Sequence, residues 1–165
     1  MSRKQETNPE TSVLIQAEKA ALKLIARAEQ CSSGLSYKLE RRGFDSKSIN
    51  EVISKLTELK LIDDLRFARL WLGLKIQLAC TSHARSPRRI LASLQNRGID
   101  HKTAETAFKE LLDEDTEFAI LELFLKKQKK AAGFAATRTS ELFGLKHFLK
   151  SEGFSRVVIE KYLEG

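Results

Sequence analysis

The chain has 165 residues, of which 42% are hydrophobic and 31% charged, and its formal net charge is +7. Two prolines and eight glycines argue against a β-sandwich, a collagen-like chain or a long disordered linker. Only two cysteines occur, the apolar runs are too short to cross a bilayer, and the first twelve residues lack the apolar region of a signal peptide. We therefore expect a helical, soluble, cytoplasmic protein with an anionic partner.

The first predicted elements are a flexible tail at residues 1–12 and a helix from Val13 to Ala28. A second helix ends at Gly43, because glycine accepts the left-handed conformation at this position. Asp45 is a favourable N-cap for a third helix. That helix carries an apolar stripe formed by Ile49, Val52, Ile53 and Leu56.

The glycine that ends the second helix recurs twice, since Gly98 and Gly153 follow Gly43 at intervals of 55 residues. Apolar residues stand four and eight positions before each glycine, on one helix face. An N-cap residue stands two positions after each: Asp45, Asp100 and Ser155. The period predicts an all-α fold of three tandem three-helix repeats stacked into an elongated, curved array. The predicted repeats are residues 13–63, 64–117 and 118–165.

A further helix opens each of the later repeats. The first is predicted from Asp64 to Ala79, and Asp63 and Asp64 suit its start as cap and dipole partner. Its predicted core stripe consists of Phe67, Leu70, Trp71, Leu74 and Leu78. The other is predicted from Phe118 to Lys130, with a stripe of Leu121, Phe124 and Leu125.

Signals for catalysis are weak. The sequence has no Walker A, GxGxxG or HExxH pattern. Cys80 and His83 have a CxxH spacing, but no second ligand pair lies nearby to complete a zinc site. The pair Asp100 and His101 is better explained by helix capping than by acid–base chemistry. We therefore predict a non-enzymatic protein without cofactor, metal or catalytic residue.

Basic residues give the stronger functional signal. Ser86 and Pro87 predict a helix start. Arg88 and Arg89 follow in the first turn, where the helix dipole disfavours cations, so with Arg85 they predict an anion site. A second cluster is too dense to be explained by helix capping alone, and it comprises Lys126, Lys127, Lys129, Lys130 and Arg138.

Four stretches, in order from Ala20 to Leu163, resemble the RecX family of RecA regulators. They are ALKLIARAEQCSSGLSYKLERRGF, LKLIDDLRFARLW, SPRRILASLQNRGI and LKHFLKSEGFSRVVIEKYL. The resemblance implies three tandem three-helix repeats that bind the RecA–DNA filament and lower RecA's ATPase and strand exchange. This sequence departs from the family pattern at Gln30, Cys31 and Gly34, where the family often has histidine, serine and glutamate.

The candidate contacts to RecA or DNA phosphates are Arg85, Arg88, Arg89, Arg97, Lys126, Lys127, Lys129, Lys130 and Arg138. A monomer is expected. The alternative is a helix-turn-helix module that binds DNA directly through Lys47, Asn50 and Lys55. Glu105 and Glu110 occupy the matching helix of the second repeat and oppose that alternative. The sequence leaves open whether Arg41 and Arg42 bind an anion.

Overall fold

The computed structural model describes residues 9–81, 84–132 and 139–164, and these residues form α-helices without a β-strand, which confirms the all-α fold class. Most of the predicted tail, together with His83 and Arg138, lies outside the described residues. None of the described helices is long and apolar enough to cross a membrane. The helices are α1 Pro9–Ile25, α2 Ser32–Glu40, α3 Ser46–Glu58, α4 Asp64–Ala79, α5 Pro87–Gln95, α6 His101–Leu111, α7 Glu114–Ala132, α8 Thr139–Ser151 and α9 Arg156–Glu164.

The described residues divide into two compact units. Unit 1 comprises the described residues of Met1–Phe67 and Arg97–Ile99. Unit 2 comprises those of Ala68–Asn96 and Asp100–Gly165. The division into three repeats at residues 13–63, 64–117 and 118–165 stays a prediction.

Unit 1 has a core built from the facing sides of α1, α2 and α3. Leu35, Leu39 and Leu56 are fully buried there, and each contributes roughly 1.5–3 kcal/mol through burial of its side chain. Ala17 and Ala21 supply the small residues of α1 that face this core. The predicted stripe of α3 therefore faces inward, although Ile53 is only partly buried.

Unit 2 has an aromatic cluster in which Phe124 of α7 and Phe154, just before α9, are buried and Phe148 of α8 is 39% exposed. The ring of Phe124 lies 6.1 Å from that of Phe148 and 5.5 Å from that of Phe154, measured between centroids. Leu121 on α7 and Leu149 on α8 are fully buried. The stripe predicted for α7 is thus part of the core, and aromatic pairs at such distances add stability beyond their burial.

The core stripe predicted for α4 is wrong. Ala68, Leu72, Ile76 and Ala79 are buried instead. The exposed fractions of the predicted core residues Leu70, Leu74 and Leu78 are 61%, 54% and 36%. Apolar residues cover most of the circumference of α4, and neighbouring positions differ by about 100° around a helix. The fold buries the face with two alanines, which allows close packing and leaves the larger leucines outside.

The three spaced glycines have the left-handed backbone that their position requires. Their φ angles are 85°, 81° and 89° at Gly43, Gly98 and Gly153. After α2, the Phe44 N–H donates to the carbonyl oxygen of Leu39, and the Gly43 N–H donates to that of Glu40. These two hydrogen bonds form a Schellman motif. They pair carbonyl groups that a helix end would otherwise leave without a donor.

The caps of α3 and α6 predict a pH dependence of stability. Asp45 accepts the backbone N–H of Ser48 at 2.9 Å, and Asp100 accepts that of Thr103 at 3.0 Å. Hydrogen bonds from the backbone and hydroxyl of Ser48 lower the pKa of Asp45, and those from Thr103 lower the pKa of Asp100. The pKa of each carboxyl group is lower in the folded chain than in the unfolded chain. Each cap therefore contributes fully to folding stability above the unfolded-state pKa, and this contribution is lost as pH falls through the folded-state pKa.

We expect the double variant Asp45→Asn with Asp100→Asn to melt near the wild-type temperature at neutral pH, since asparagine also caps helices. Its melting temperature should then fall less steeply than that of the wild type on acidification. Thermal unfolding followed by circular dichroism across the acid range measures this difference. Parallel acid profiles for the two proteins would show that the caps do not supply the pH dependence.

Candidate functional site

The predicted anion site at the start of α5 already holds a carboxylate of this chain. Ser86 Oγ donates to Glu152 Oε2 at 2.5 Å, and Arg88 Nη2 donates to Glu152 Oε1 at 2.5 Å. The Arg88 backbone N–H also donates to the carbonyl oxygen of Glu152 at 2.9 Å. Pro87 occupies the first position of the helix, as predicted from the sequence. The two arginines of the first turn therefore share one carboxylate, that of Glu152, which stands 64 residues from Arg88.

Glu152 remains ionised although its side chain is buried. Burial raises its pKa, but hydrogen bonds from Ser86 and Arg88 and the charges of Arg88 and Arg89 outweigh burial and lower it overall. Arg89 Nε lies 4.0 Å from Glu152 Oε2. The Arg88 side chain is 60% exposed, so one arginine contacts both the internal carboxylate and solvent.

Carboxylates from distant positions recur at other helix starts. The Ser32 N–H, in the first turn of α2, donates to Asp64 Oδ1 at 2.7 Å. The Ser155 N–H, just before α9, donates to Glu117 Oε1 at 2.5 Å. With Glu152 at α5, these contacts place an anion where the helix dipole is positive and backbone N–H groups lack helical partners. Asp64, predicted as a dipole partner of its own helix, thus also binds a second helix.

The other predicted basic contacts that the structure describes are exposed side chains. Arg85 is exposed just before α5, and Lys126 and Lys127 are exposed on α7. Arg97 is exposed and belongs to unit 1, whereas Arg85 belongs to unit 2. The side chains of Lys129 and Lys130 lie outside the described part of the structure, as does Arg138. The role of each of these residues in binding a partner stays a prediction.

The positions that depart from the family pattern lie at the start of α2, and one of them also makes a long-range contact, since Cys31 Sγ donates to the carbonyl oxygen of Arg97 at 3.5 Å. Gln30 is buried, and it accepts a hydrogen bond from Lys38 Nζ at 2.6 Å. Cys31 is the N-cap of α2, and its Sγ accepts the N–H of Gly34 at 3.4 Å. Cys31 therefore performs the capping role that serine ordinarily has.

Sequence reasoning missed an exposed apolar surface on α4. We call it the α4 leucine face, and it consists of Leu70, Leu74 and Leu78, with the half-buried Trp71 beside them. Lys75 Nζ lies 5.1 Å from the centre of the Trp71 ring, so a cation borders the apolar row. Exposed apolar surface is a common feature of interaction sites. The signal in the sequence was an α4 with more apolar residues than one core face can bury.

Within the described ranges, no group of three or more His, Cys, Asp or Glu side chains is arranged to hold a metal ion. Cys31 and Cys80 are free thiols. Burial and the nearby carboxylate of Asp113 raise the pKa of Cys80, which keeps it in the unreactive thiol form.

Comparisons with known proteins identify relatives of this chain. The regulatory protein RecX of Treponema pallidum is 34% identical over 119 residues, covering 72% of this chain and 70% of that protein. The regulatory protein RecX of Caldanaerobacter subterraneus is 26% identical over 148 residues, covering 90% of this chain and 69% of that protein. No protein-family model matches the sequence.

Solved structures share the all-α fold. The crystal structure of RecX from Lactobacillus salivarius has a TM-score of 0.66 at 20% identity, covering 93% of this chain and 96% of that one. A second crystal structure, of a regulatory protein RecX, has a TM-score of 0.72 at 15% identity, covering 100% and 83%. The chain belongs to the RecX family of regulatory proteins.

Proposed function

We propose that this chain regulates the RecA recombinase by binding RecA or the RecA–DNA filament, and that binding lowers ATP hydrolysis and strand exchange. Membership of the RecX family supports a regulatory role. The proposed mechanism is non-enzymatic, so the free energy of binding alone shifts RecA toward a less active state. This mechanism requires a surface that binds another protein and needs no catalytic site.

The α4 leucine face is the observation that carries this proposal. Leu70 and Leu74 are more than half exposed, and burying such side chains against a partner gains about 25 cal/mol per Å² of apolar area. Nucleic-acid phosphates offer no apolar surface to cover them, whereas a hydrophobic patch on RecA would. Trp71 and Lys75 at the border suit the mixed apolar and charged edge of a protein interface.

The exposed basic residues have a supporting role in the proposal. Arg85, Arg89, Lys126 and Lys127 are exposed, and we propose that they accelerate encounter with the anionic RecA–DNA filament. Arg88 and Arg97 stay among the proposed contacts, with Arg88 contributing its solvent-facing part while Glu152 holds it. Contact with DNA phosphates would then add a salt-dependent share of the affinity.

We predict that Leu70→Glu with Leu74→Glu raises the concentration needed for half-maximal inhibition of RecA by at least about tenfold, because charged side chains cannot be buried in the interface. The measurement follows ATP hydrolysis by RecA on single-stranded DNA while the protein is titrated. A matched control is Leu59→Glu with Val157→Glu, which places the same charges at similarly exposed apolar positions elsewhere.

Regulation of RecA and the role of the α4 leucine face can be refuted independently. Unchanged ATP hydrolysis at saturating wild-type protein would refute regulation of RecA by this chain. Inhibition by the wild type that persists in the Leu70→Glu, Leu74→Glu protein would refute the role of the α4 leucine face alone.

Direct DNA binding is the weaker candidate. Lys55 on α3 pairs with Glu18 at 2.7 Å. On α6, Glu110 pairs with Arg69 at 2.7 Å, and Glu105 adds a further acid to a helix that would have to approach phosphates. Sequence-specific binding to DNA without RecA, with a steep dependence on salt, would favour this candidate over ours.

A further inference from the structure

The start of a helix covers two of the three glycine turns. In unit 1, a Cβ on Gly98 would overlap Oγ of Ser33, in the first turn of α2. In unit 2, a Cβ on Gly153 would lie 3.0 Å from the backbone nitrogen of Arg88, in the first turn of α5. Ser33 and Arg88 are 55 residues apart, which is also the spacing of the two glycines. The same contact between a helix start and a glycine turn therefore occurs once in each unit.

The turn at Gly43 has no such cover. Its backbone is left-handed like that of the other two, yet no atom of the described residues lies within 4 Å of the position that a Cβ would take. The apolar residue after the glycine differs in the same way, since Ile99 and Phe154 are buried, whereas Phe44 is only partly buried against the core of unit 1. We call Gly43 and Phe44 the open turn, because a glycine backbone and part of an aromatic ring are exposed there.

One segment of α8 occupies the matching position of the period without covering a turn. Leu142 and Phe143 stand 55 residues after Pro87 and Arg88, the two residues of α5 that lie against Gly153. The exposed fractions of Leu142 and Phe143 are 45% and 76%, and the second value is the highest of any large hydrophobic residue in the described ranges. A turn without a helix segment and a helix segment without a turn are thus both present in this chain.

The helix α8 begins earlier in the period than α5 does. Pro87 is the first residue of α5, whereas its counterpart Leu142 is the fourth residue of α8, which begins at Thr139. Arg88 donates its backbone N–H at the covered turn, but at the fifth position of α8 the N–H of Phe143 bonds within the helix. A contact made by this part of α8 therefore relies on its exposed apolar side chains.

We propose that Leu142 and Phe143 of one copy of this chain pack on the open turn of a second copy, so that copies associate head to tail. The missing Cβ lets the Phe143 ring approach the Gly43 backbone closely, and the exposed part of Phe44 provides an apolar neighbour. The two copies contribute different surfaces, so the contact does not close between two chains and can add further copies. This inference goes beyond the proposed function and does not depend on RecA.

The net charge of the chain determines the conditions under which this association forms. A charge of +7 makes free copies repel each other, and Arg41 and Arg42 add exposed positive charge next to the open turn in sequence. Salt screens this repulsion, with a Debye length of about 8 Å at physiological ionic strength. Association should therefore strengthen as salt is added, whereas binding to phosphates would weaken.

Sedimentation velocity of the full-length protein tests the proposal, at concentrations up to about 1 mM, the order of the effective concentration of two tethered copies. The average mass of the wild type should rise with concentration beyond that of a dimer. Leu142→Glu with Phe143→Glu should keep the mass of a single chain, because the contact would bury both charges. The matched control, Leu59→Glu with Val157→Glu, changes similarly exposed apolar residues and should associate like the wild type. A wild type that stays monomeric, or association that persists in the Leu142→Glu, Phe143→Glu protein, would overturn the proposal.

A mixing experiment distinguishes a head-to-tail contact from a symmetric dimer. Gly43→Asn blocks the open turn and should still fold, since asparagine tolerates a left-handed backbone and no described atom meets its Cβ. Thermal melting followed by circular dichroism checks the fold of each variant. Gly43→Asn and the Leu142→Glu, Phe143→Glu protein should each be monomeric alone, but their mixture should form a complex of one copy of each, because each retains one intact half. A mixture that stays monomeric, or Gly43→Asn that associates like the wild type, would overturn the proposal, and neither result bears on RecA regulation.

Discussion

Glu152→Ala is expected to lower the free energy of unfolding by about 2–4 kcal/mol, among the largest effects of any single charged residue here. The hydroxyl of Ser86 is fully buried and would lose its acceptor. The start of α5 would lose the anion that offsets its dipole and its arginines. The solvent-exposed part of Arg88 can be hydrated, which keeps the cost below that of a completely buried pair. Urea unfolding followed by circular dichroism measures the loss.

The variant Glu152→Gln distinguishes the role of residue 152 as a hydrogen-bond acceptor from the role of its negative charge. Glutamine can still accept from Ser86, so we expect a smaller loss of about 1–2 kcal/mol at neutral pH. Because the pKa of Glu152 is lowered in the folded chain, its charge contributes fully above the unfolded pKa. The difference between wild type and Glu152→Gln should therefore vanish as pH falls through the lowered value. Glu122→Ala, at an exposed position of α7, is the control, and equal losses for Glu122→Ala and Glu152→Ala would contradict this account.

Alanine at the three turn glycines should destabilise the chain unequally. At Gly43 only the left-handed backbone is strained, which costs roughly 1–2 kcal/mol. At Gly98 the new Cβ would also lie 2.4 Å from the Cβ of Ser33, and relieving this overlap raises the total to roughly 2–5 kcal/mol. Gly153 should be intermediate, because its nearest neighbour stands at 3.0 Å. Chemical unfolding of the three single variants gives the order.

A second-site change distinguishes steric overlap from backbone strain. Ser33→Gly removes the atoms that a Cβ on Gly98 would meet, so it should recover part of the stability lost in Gly98→Ala. The same Ser33→Gly change should recover nothing in Gly43→Ala. Equal destabilisation at Gly43 and Gly98 would mean that the close approach at Gly98 does not limit the substitution.

Local features of the fold were predictable because their causes lie within a few residues. The Gly43 turn closes through hydrogen bonds to Leu39 and Glu40, and the Asp45 cap bonds to Ser48. Such patterns are visible in any short window of sequence. Each of these patterns occurs three times at intervals of 55 residues, and the repetition supported the prediction of an all-helical fold.

Long-range choices were not predictable in the same way. The arginines after Ser86 predicted contact with an anionic partner, which stays a prediction, and the internal carboxylate that they contact, Glu152, stands 66 residues from Ser86. The face of α4 that enters the core was misassigned, because both faces are apolar and only the neighbouring helices select between them. The exposed leucines became visible as a surface only once Ala68 and Leu72 were seen to be buried.

The residue before each turn glycine is Arg42, Arg97 or Glu152, on a backbone that hardly differs among the three. The glycine therefore determines the backbone conformation of the turn, and the residue before it determines the charge that the turn presents. A single substitution can change the charge that a turn offers without altering its shape. The surface that each turn presents to its surroundings is therefore adjustable at one position, while the helical scaffold around the turn stays constant.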